Sequence, residues 1–501
     1  MSKKYSKELR NRKRRIGRRL ARQELGDRGK PILKGRNIHY EMSEKMQGLF
    51  CGGIGAFHKM VKQIGLAEEL DKQLHLLKIH KPYYESDHIL TIAYNILTGN
   101  KRLEDIEHLR QDEGFLNALG ADRIPDPTTA GDFTRRFEGW EIERLQNAIN
   151  EVRQRVWRHR GKGLLKDAYV DVDGTVASTT GRCKEGMEWS YKGVWGYAPL
   201  IVSLANTQEV LYLVNRPGNA PSQKGAAKWI EKAIELVKPY AKRLTLRGDT
   251  DFSLMEHLDK WSEKAHFVFG MDARKKVVGI ADELEKKAWE ALERSPKYTV
   301  KTKSRQRPEN IQKQIVKRRE FERKHLTGEE IAEFDYRPFK CKKEYRVVVL
   351  RKNISVEKGE SVLFDEIRYF FYITTRRDLS AKEVVELANK RCNQENVVEQ
   401  LKNGVNAMRM PVNNLLSNWA YMVMAALAWN LKAWFALLMP NRKRGVQVLK
   451  MEFRRFLRVL ILLPCQIIRS GRKIIYRLMS YNPWLEDFLD TWEYIRRLAL
   501  V

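Results

Sequence analysis

Between residues 168 and 270 the sequence switches repeatedly from a two-residue to a three-to-four-residue apolar period, and few architectures accommodate that switching. Ala168-Tyr169-Val170-Asp171-Val172-Asp173 alternates as a half-buried strand does. Ala198 to Asn206 and Val210 to Asn215 read as two further strands, joined by Thr207-Gln208-Glu209 into a hairpin. A helix is predicted over 223–238, with Ala226, Ile230, Ala233 and Val237 on one stripe. Arg243 to Asp249 reads as a strand running into a turn, Phe252 to Trp261 as a short helix, and His266 to Gly270 as a strand. Three strands, helix, strand, helix, strand predicts an α/β fold: a mixed sheet flanked by helices, with the first strands antiparallel and the later ones joined by crossovers.

The flanks carry other patterns. Residues 1–40 hold 15 Lys or Arg against 3 Asp or Glu and read as a basic arm, disordered or helical only on its partner. The stretch 41–160 is all-helical. Within it Pro125-Asp126-Pro127-Thr128-Thr129 leads into a helix that Thr129 is expected to cap, with Arg135 and Arg136 inside. That fits a helix-turn-helix as well as an ordinary helical corner. The sheet pattern makes 161–271 the first part of a core. Residues 272–364 interrupt it as a basic insertion, since Lys297 to His325 has 11 Lys or Arg against 3 acids. The core resumes over 365–440, where Tyr369 to Thr375 is a strand and a long helix begins at Ser380, boxed by Glu383, and continues past Lys402. Residues 441–501 supply an amphipathic helix over 446–462, a hairpin about Ser470-Gly471-Arg472 and a terminal helix. The apolar run Trp419 to Met439, interrupted by Asn430 and Lys432, reads as a buried core helix rather than a membrane span.

Charge narrows the function. With 94 Lys plus Arg against 63 Asp plus Glu, the 501-residue chain carries +31, which makes a polyanion such as DNA the expected partner. Five scattered cysteines without a C-x-x-C pair fit a reducing compartment and argue against structural zinc. No apolar leader follows Met1-Ser2-Lys3-Lys4, so a cytoplasmic, nucleoid-associated protein is expected.

Three acids stand where such sheets expose function. Asp173 ends the first strand before Gly174-Thr175, with Asp171 two residues earlier on the same face. Asp249 ends the fourth strand, inside Arg247-Gly248-Asp249-Thr250-Asp251-Phe252, and Glu395 lies in the helix after Ser380. Carboxylates without clustered His or Cys favour Mg²⁺ or Mn²⁺, and a pair of such ions suits in-line phosphoryl transfer. Arg391, Glu395 and Lys402 follow at i, i+4 and i+11, a single stripe on a continuous helix. That stripe reads either as a surface ion-pair ladder or as a carboxylate ligand between two phosphate-gripping cations.

Asp173-Gly174-Thr175, the Arg247-Gly248-Asp249 turn and Arg391-(3)-Glu395-(6)-Lys402 resemble the DDE transposases of bacterial insertion sequences. The branch resembled is marked by Y-(2)-R-(3)-E-(6)-K and has an RNase H-like catalytic domain. The resemblance covers roughly 40–480. It implies Asp173, Asp249 and Glu395 as catalytic metal ligands for two Mg²⁺ or Mn²⁺ ions, with Arg391 and Lys402 on transposon-end DNA. It also implies a homodimer that binds terminal inverted repeats, cleaves the ends and transfers them to target DNA. The signature Tyr falls at Ala388, and Asp171 is the alternative first ligand. An RNase H-like nuclease without strand transfer and a catalytically silent basic DNA-binding protein are the competing readings.

Overall fold

The computed structural model describes residues 3–21, 39–40, 47–161, 163–294, 309–358 and 361–498. Most of the basic arm beyond residue 21, and Lys297 to Pro308 of the basic run, lie outside the described residues. Helices come first: α1 (Lys3–Leu20), then after a short strand β1 (Gln47–Leu49) the helices α2 (Ile54–Gln63), α3 (Leu66–Gln73), α4 (Glu85–Leu97), α5 (Ile106–Arg110), α6 (Glu113–Leu119), α7 (Pro127–Thr134) and α8 (Gly139–Arg160). Next are β2 (Asp167–Gly174), the short β3 (Ala177–Ser178), β4 (Glu188–Trp189) and β5 (Trp195–Tyr197), then β6 (Leu200–Leu204), β7 (Glu209–Val214), α9 (Ala226–Val237), β8 (Arg243–Gly248), α10 (Met255–Lys264) and β9 (His266–Met271). The chain continues through α11 (Lys275–Glu283), β10 (Glu290–Ala291), α12 (Ile311–Arg318), β11 (Glu322–Tyr336), β12 (Tyr345–Lys358), β13 (Ser361–Thr374), α13 (Ala381–Asn389) and α14 (Cys392–Glu399). Last come α15 (Leu415–Leu438), α16 (Arg442–Leu449), α17 (Phe453–Phe456), β14 (Cys465–Ser470), β15 (Lys473–Leu478) and α18 (Leu485–Arg497).

The strands β7-β6-β2-β8-β9 lie side by side, with β6 antiparallel to both β2 and β7, and with β2, β8 and β9 parallel. Helices α9 and α10 make the two crossovers. This is the RNase H-like strand order, and it follows the expected sequence of elements. The insertion departs from expectation. Strands β10, β11, β12 and β13 form an antiparallel meander that pairs through β13 onto β9, extending the sheet to nine strands. A boundary at 364 therefore falls inside β13, whose pairing with β12 begins already at Ser361.

Helix α15 lies at the centre, packed on α4, α8, α16 and β7. Its residues from Ser417 to Leu438 are buried, as the core-helix reading requires. The two polar interruptions are both paired. The Asn430 amide meets both backbone groups of Val210, at 2.9 and 3.1 Å, extending β7 sideways. The Lys432 ammonium donates to Leu449 O at 3.0 Å and sits 3.7 Å from the Trp429 ring centroid. Glu209 at the start of β7 is wholly buried. It accepts from Arg153 Nε (2.9 Å), Trp157 Nε1 (2.9 Å), Trp434 Nε1 (2.7 Å) and Thr207 Oγ1 (2.5 Å), which bolts α8 and α15 to the sheet.

The two ends of the chain share a body. β1 pairs with β14, and the Phe57 ring on α2 stacks on Phe435 of α15 at 4.4 Å. Three local expectations are corrected. Helix α7 is capped by Asp126, whose Oδ1 accepts from Thr129 N at 2.9 Å, because Pro127 suits the first helical position. Arg135 caps its far end and Arg136 lies beyond. The amphipathic stretch 446–462 is broken after Leu449, and the arm residues 3–20 form a helix. Leu9 of α1 packs on the core, and Arg12 Nη1 donates to Leu478 O and Ser480 O at 3.1 Å each.

Candidate active site

The second half of β2 carries two acids on one face, Asp171 and Asp173, and their surroundings differ. Asp171, 1 % exposed, accepts Arg247 Nε at 2.6 Å and Nη2 at 2.8 Å, across the β2–β8 register that sets the two residues opposite each other. Asp173, one turn of the pleat further, reaches the strand end and meets Arg391 Nη1 at 3.3 Å. Asp249 follows β8 directly, so both acids sit at the carboxyl ends of neighbouring parallel strands. Gly248 allows the tight exit: a Cβ there would lie 2.8 Å from that of Phe252. Asp249 Oδ1 then accepts from Asp251 N at 3.1 Å.

Electrostatics ties these groups together. Burial raises the Asp173 carboxyl to about 6. Arg391 opposes that rise, while the charges of Asp249 and Glu395 add to it. Burial also raises Asp249, with Arg391 opposing and Asp251 and Asp272 adding. Five carboxylates (Asp173, Asp249, Asp251, Asp272 and Glu395) and one guanidinium thus share a neighbourhood that is short of positive charge. A cleft of about 320 Å³ opens beside them, lined by Asp249, Asp272, Tyr372, Ala388 and Arg391 among others.

The helix expected to run unbroken from Ser380 past Lys402 is instead in three pieces. Its start is as read: Ser380 and Glu383 form the capping box. In an unbroken helix Arg391 N–H would bond to Leu387 O. Here Leu387 O accepts from Arg247 Nη1 at 3.2 Å, and Arg391 N–H turns to Ala388 O at 3.2 Å. A side chain inserted into the ladder kinks a helix, so the buried Asp171–Arg247 pair breaks this one. α14 restarts after Arg391, and residues 400–404 widen into a π turn, closed by Val405 N to Gln400 O at 2.9 Å. The i, i+4, i+11 stripe is thereby lost. Arg391 sits at the kink over Asp173, Glu395 is exposed on the first turn of α14, and Lys402 Nζ donates to Val176 O at 2.8 Å. Burial lowers the Lys402 ammonium, and the charge of Lys192 adds to the effect.

Gln394, 1 % exposed, anchors α14: its Oε1 accepts from Ser203 Oγ on β6, and its Nε2 donates to Ile201 O at 3.4 Å. Neither Gln394 nor the role of Arg247 was anticipated. Arg247 left a signal, since an arginine directly after Leu244-Thr245-Leu246 in a buried strand needs a buried acid opposite, and the facing strand offers Asp171.

The donor set suits a hard divalent cation: carboxylate oxygens and a deficit of positive charge. Among the described residues, however, no three His, Cys, Asp or Glu side chains converge closely enough to hold an ion. The Arg391 guanidinium lies against Asp173 and supplies the positive charge there.

A family model described as Transposase DDE domain, group 1, matches residues 50–500. No curated protein matches the chain. Among solved structures, the cryo-EM structure of a piggyBac transposase synaptic complex with hairpin DNA is similar at 10% sequence identity. The match covers 83% of this chain and 84% of that one, with a TM-score of 0.38.

Proposed function

The chain belongs to the group 1 DDE transposase domain family, and on that premise we propose how its own residues divide the work of moving DNA. It is a DNA transposase, an enzyme of a family that uses divalent metal ions. In our reading its substrate is the pair of terminal inverted repeats of a bacterial insertion sequence, held by a homodimer. Asp173, Asp249 and Glu395 are the carboxylates that hold the metal, two Mg²⁺ or Mn²⁺ ions. When bound, such ions supply the positive charge that lowers the cost of an attacking and a leaving oxygen.

The protein's part is to bind, orient and neutralise. The sheet fixes Asp173 and Asp249 on adjacent strand ends, and Gln394 holds α14, whose Glu395 lies near enough for its charge to act on Asp173. Arg391, released from Asp173, donates to a phosphate oxygen flanking the scissile bond, and Lys402 to one further along. Water then attacks the phosphorus at each end, breaking the bond to the bridging 3′ oxygen and leaving a 3′-hydroxyl. That hydroxyl attacks a target phosphodiester in turn, and the displaced target 3′ oxygen takes up the proton. No protein side chain becomes covalently attached.

The observation that carries this reading is the meeting of Asp173, Asp249 and Arg391 at the carboxyl ends of β2 and β8. It is tested by incubating labelled DNA carrying the sequences that flank the gene with Mg²⁺ or Mn²⁺. Wild type should give cleaved and joined products, and Glu395→Ala and Asp249→Ala should give neither. Cutting that survives Glu395→Ala would remove that residue from the site, and cutting without joining would favour a nuclease.

A further inference from the structure

Among the large aromatic side chains that stand in solvent, one group adjoins the carboxylate end of β2. Between β2 and β6 the chain detours through β3, β4 and β5, a small sheet in the order β3-β5-β4. β4 and β5 are joined by a tight turn, with Ser190 N bonded to Val194 O and Gly193 N to Ser190 O, each at 2.9 Å, and Gly193 at φ +66°. The tip presents Tyr191, 78 % exposed, with Lys192 Nζ 5.3 Å from its ring centroid. Trp189, 63 % exposed, faces Trp195 across the strands, the rings meeting edge-on at 5.4 Å. The acidic neighbour Glu188 alternates to the opposite face.

The hairpin is held firmly. Tyr197 OH donates to Glu185 O at 2.8 Å, Glu185 N to Asn413 O at 2.8 Å, and Gly218 N to Gly186 O at 3.1 Å. It is also held near the chemistry: Lys402 donates to Val176 O, immediately before β3 and three residues after Asp173. A pair of aromatic rings kept in water on a braced hairpin adds nothing to the core, so such a patch marks a binding surface. Aromatic faces flanked by lysines suit nucleobases, whose faces stack on the rings while the phosphates meet the cations. A paired duplex hides those faces, so the occupant has to be unpaired.

We propose that the Trp189–Tyr191 hairpin is a stacking site for unpaired DNA bases beside the phosphodiester that the carboxylates act on. The origin of those bases rests on the transposase reading above; the stacking site itself does not.

The test uses the full chain and measures binding of a labelled short oligothymidylate and of a duplex of equal length, without metal. Trp189→Ala and Tyr191→Ala should each weaken single-strand binding about 5- to 150-fold, the range for losing one stacked base. Duplex binding should not change, and Trp189→Phe should keep most of the single-strand affinity. Single-strand binding untouched by both alanine variants would overturn the proposal. So would an equal loss on the duplex, which would mark the hairpin as a phosphate contact only. Stacking that persists while cleavage proves independent of Asp249 would sink the catalytic assignment and leave this site standing.

Discussion

Replacing Asp171 by Asn would leave the Arg247 guanidinium buried without its counter-charge, a change that costs about 3–5 kcal/mol when one partner of a buried pair is removed. Asp173→Asn, two residues away, should behave in the opposite way. The Asp173 carboxyl is raised to about 6, chiefly by burial, so its charged form opposes folding. That penalty is absent below the ordinary carboxylate range, grows as pH rises towards 6 and is fully present above it. Urea unfolding at neutral pH should therefore find Asp171→Asn strongly destabilised and Asp173→Asn as stable as wild type or more so. The same carboxyl predicts a pH dependence for metal binding. The rise in melting temperature on adding Mg²⁺ or Mn²⁺ should be small below pH 6, grow through that value and level off above it. A pH-independent rise would separate the metal from Asp173. At this scale the sequence was informative about which acids stand at strand ends, Asp173 and Asp249, because strand-end position is a local property. It left Asp171 and Asp173 open, because the partner that engages Asp171 lies on another strand.

Helix α14 is placed by one buried amide more than by its own propensity, so Gln394→Ala tests whether its position matters for the chemistry. We expect the cleavage rate to fall by about 10- to 100-fold, the scale of loss when a reacting group is misplaced by about an ångström. DNA affinity measured by anisotropy should stay unchanged. Loss of affinity with an unchanged rate would contradict the assignment. The elements between 168 and 270 were legible because period and turn chemistry are written locally, and so was the Ser380 cap. The kink at Arg391 was not, since it originates in Arg247, on another element and far away along the chain. Strand β13 was missed in part for a related reason. Its distal half pairs only with β12 and carries exposed, charged positions such as Asp365 and Arg368, which read as a basic insertion.

Across the whole molecule the excess of 31 positive charges should make DNA binding steeply dependent on salt. If about 6–10 phosphates are contacted, affinity should fall by about 10³–10⁵ between about 50 and 200 mM salt. Fluorescence anisotropy over that range gives the slope, and a flat response would argue against a backbone-tracking surface. Helix α1, exposed along most of its basic side and docked by Arg12, is the element whose removal should lower that slope. The pairing of β1 with β14, together with Gly52 N to Leu463 O and Gly53 N to Ile461 O at 2.9 Å each, sets a condition on synthesis. At about 5–20 residues per second, the ribosome needs about 20–80 s to travel from the first of these strands to the second. Throughout that interval the N-terminal helices wait without the partners that complete their core. A fragment released before residue 465 never acquires them, so the molecule becomes competent only after nearly all of it has been translated.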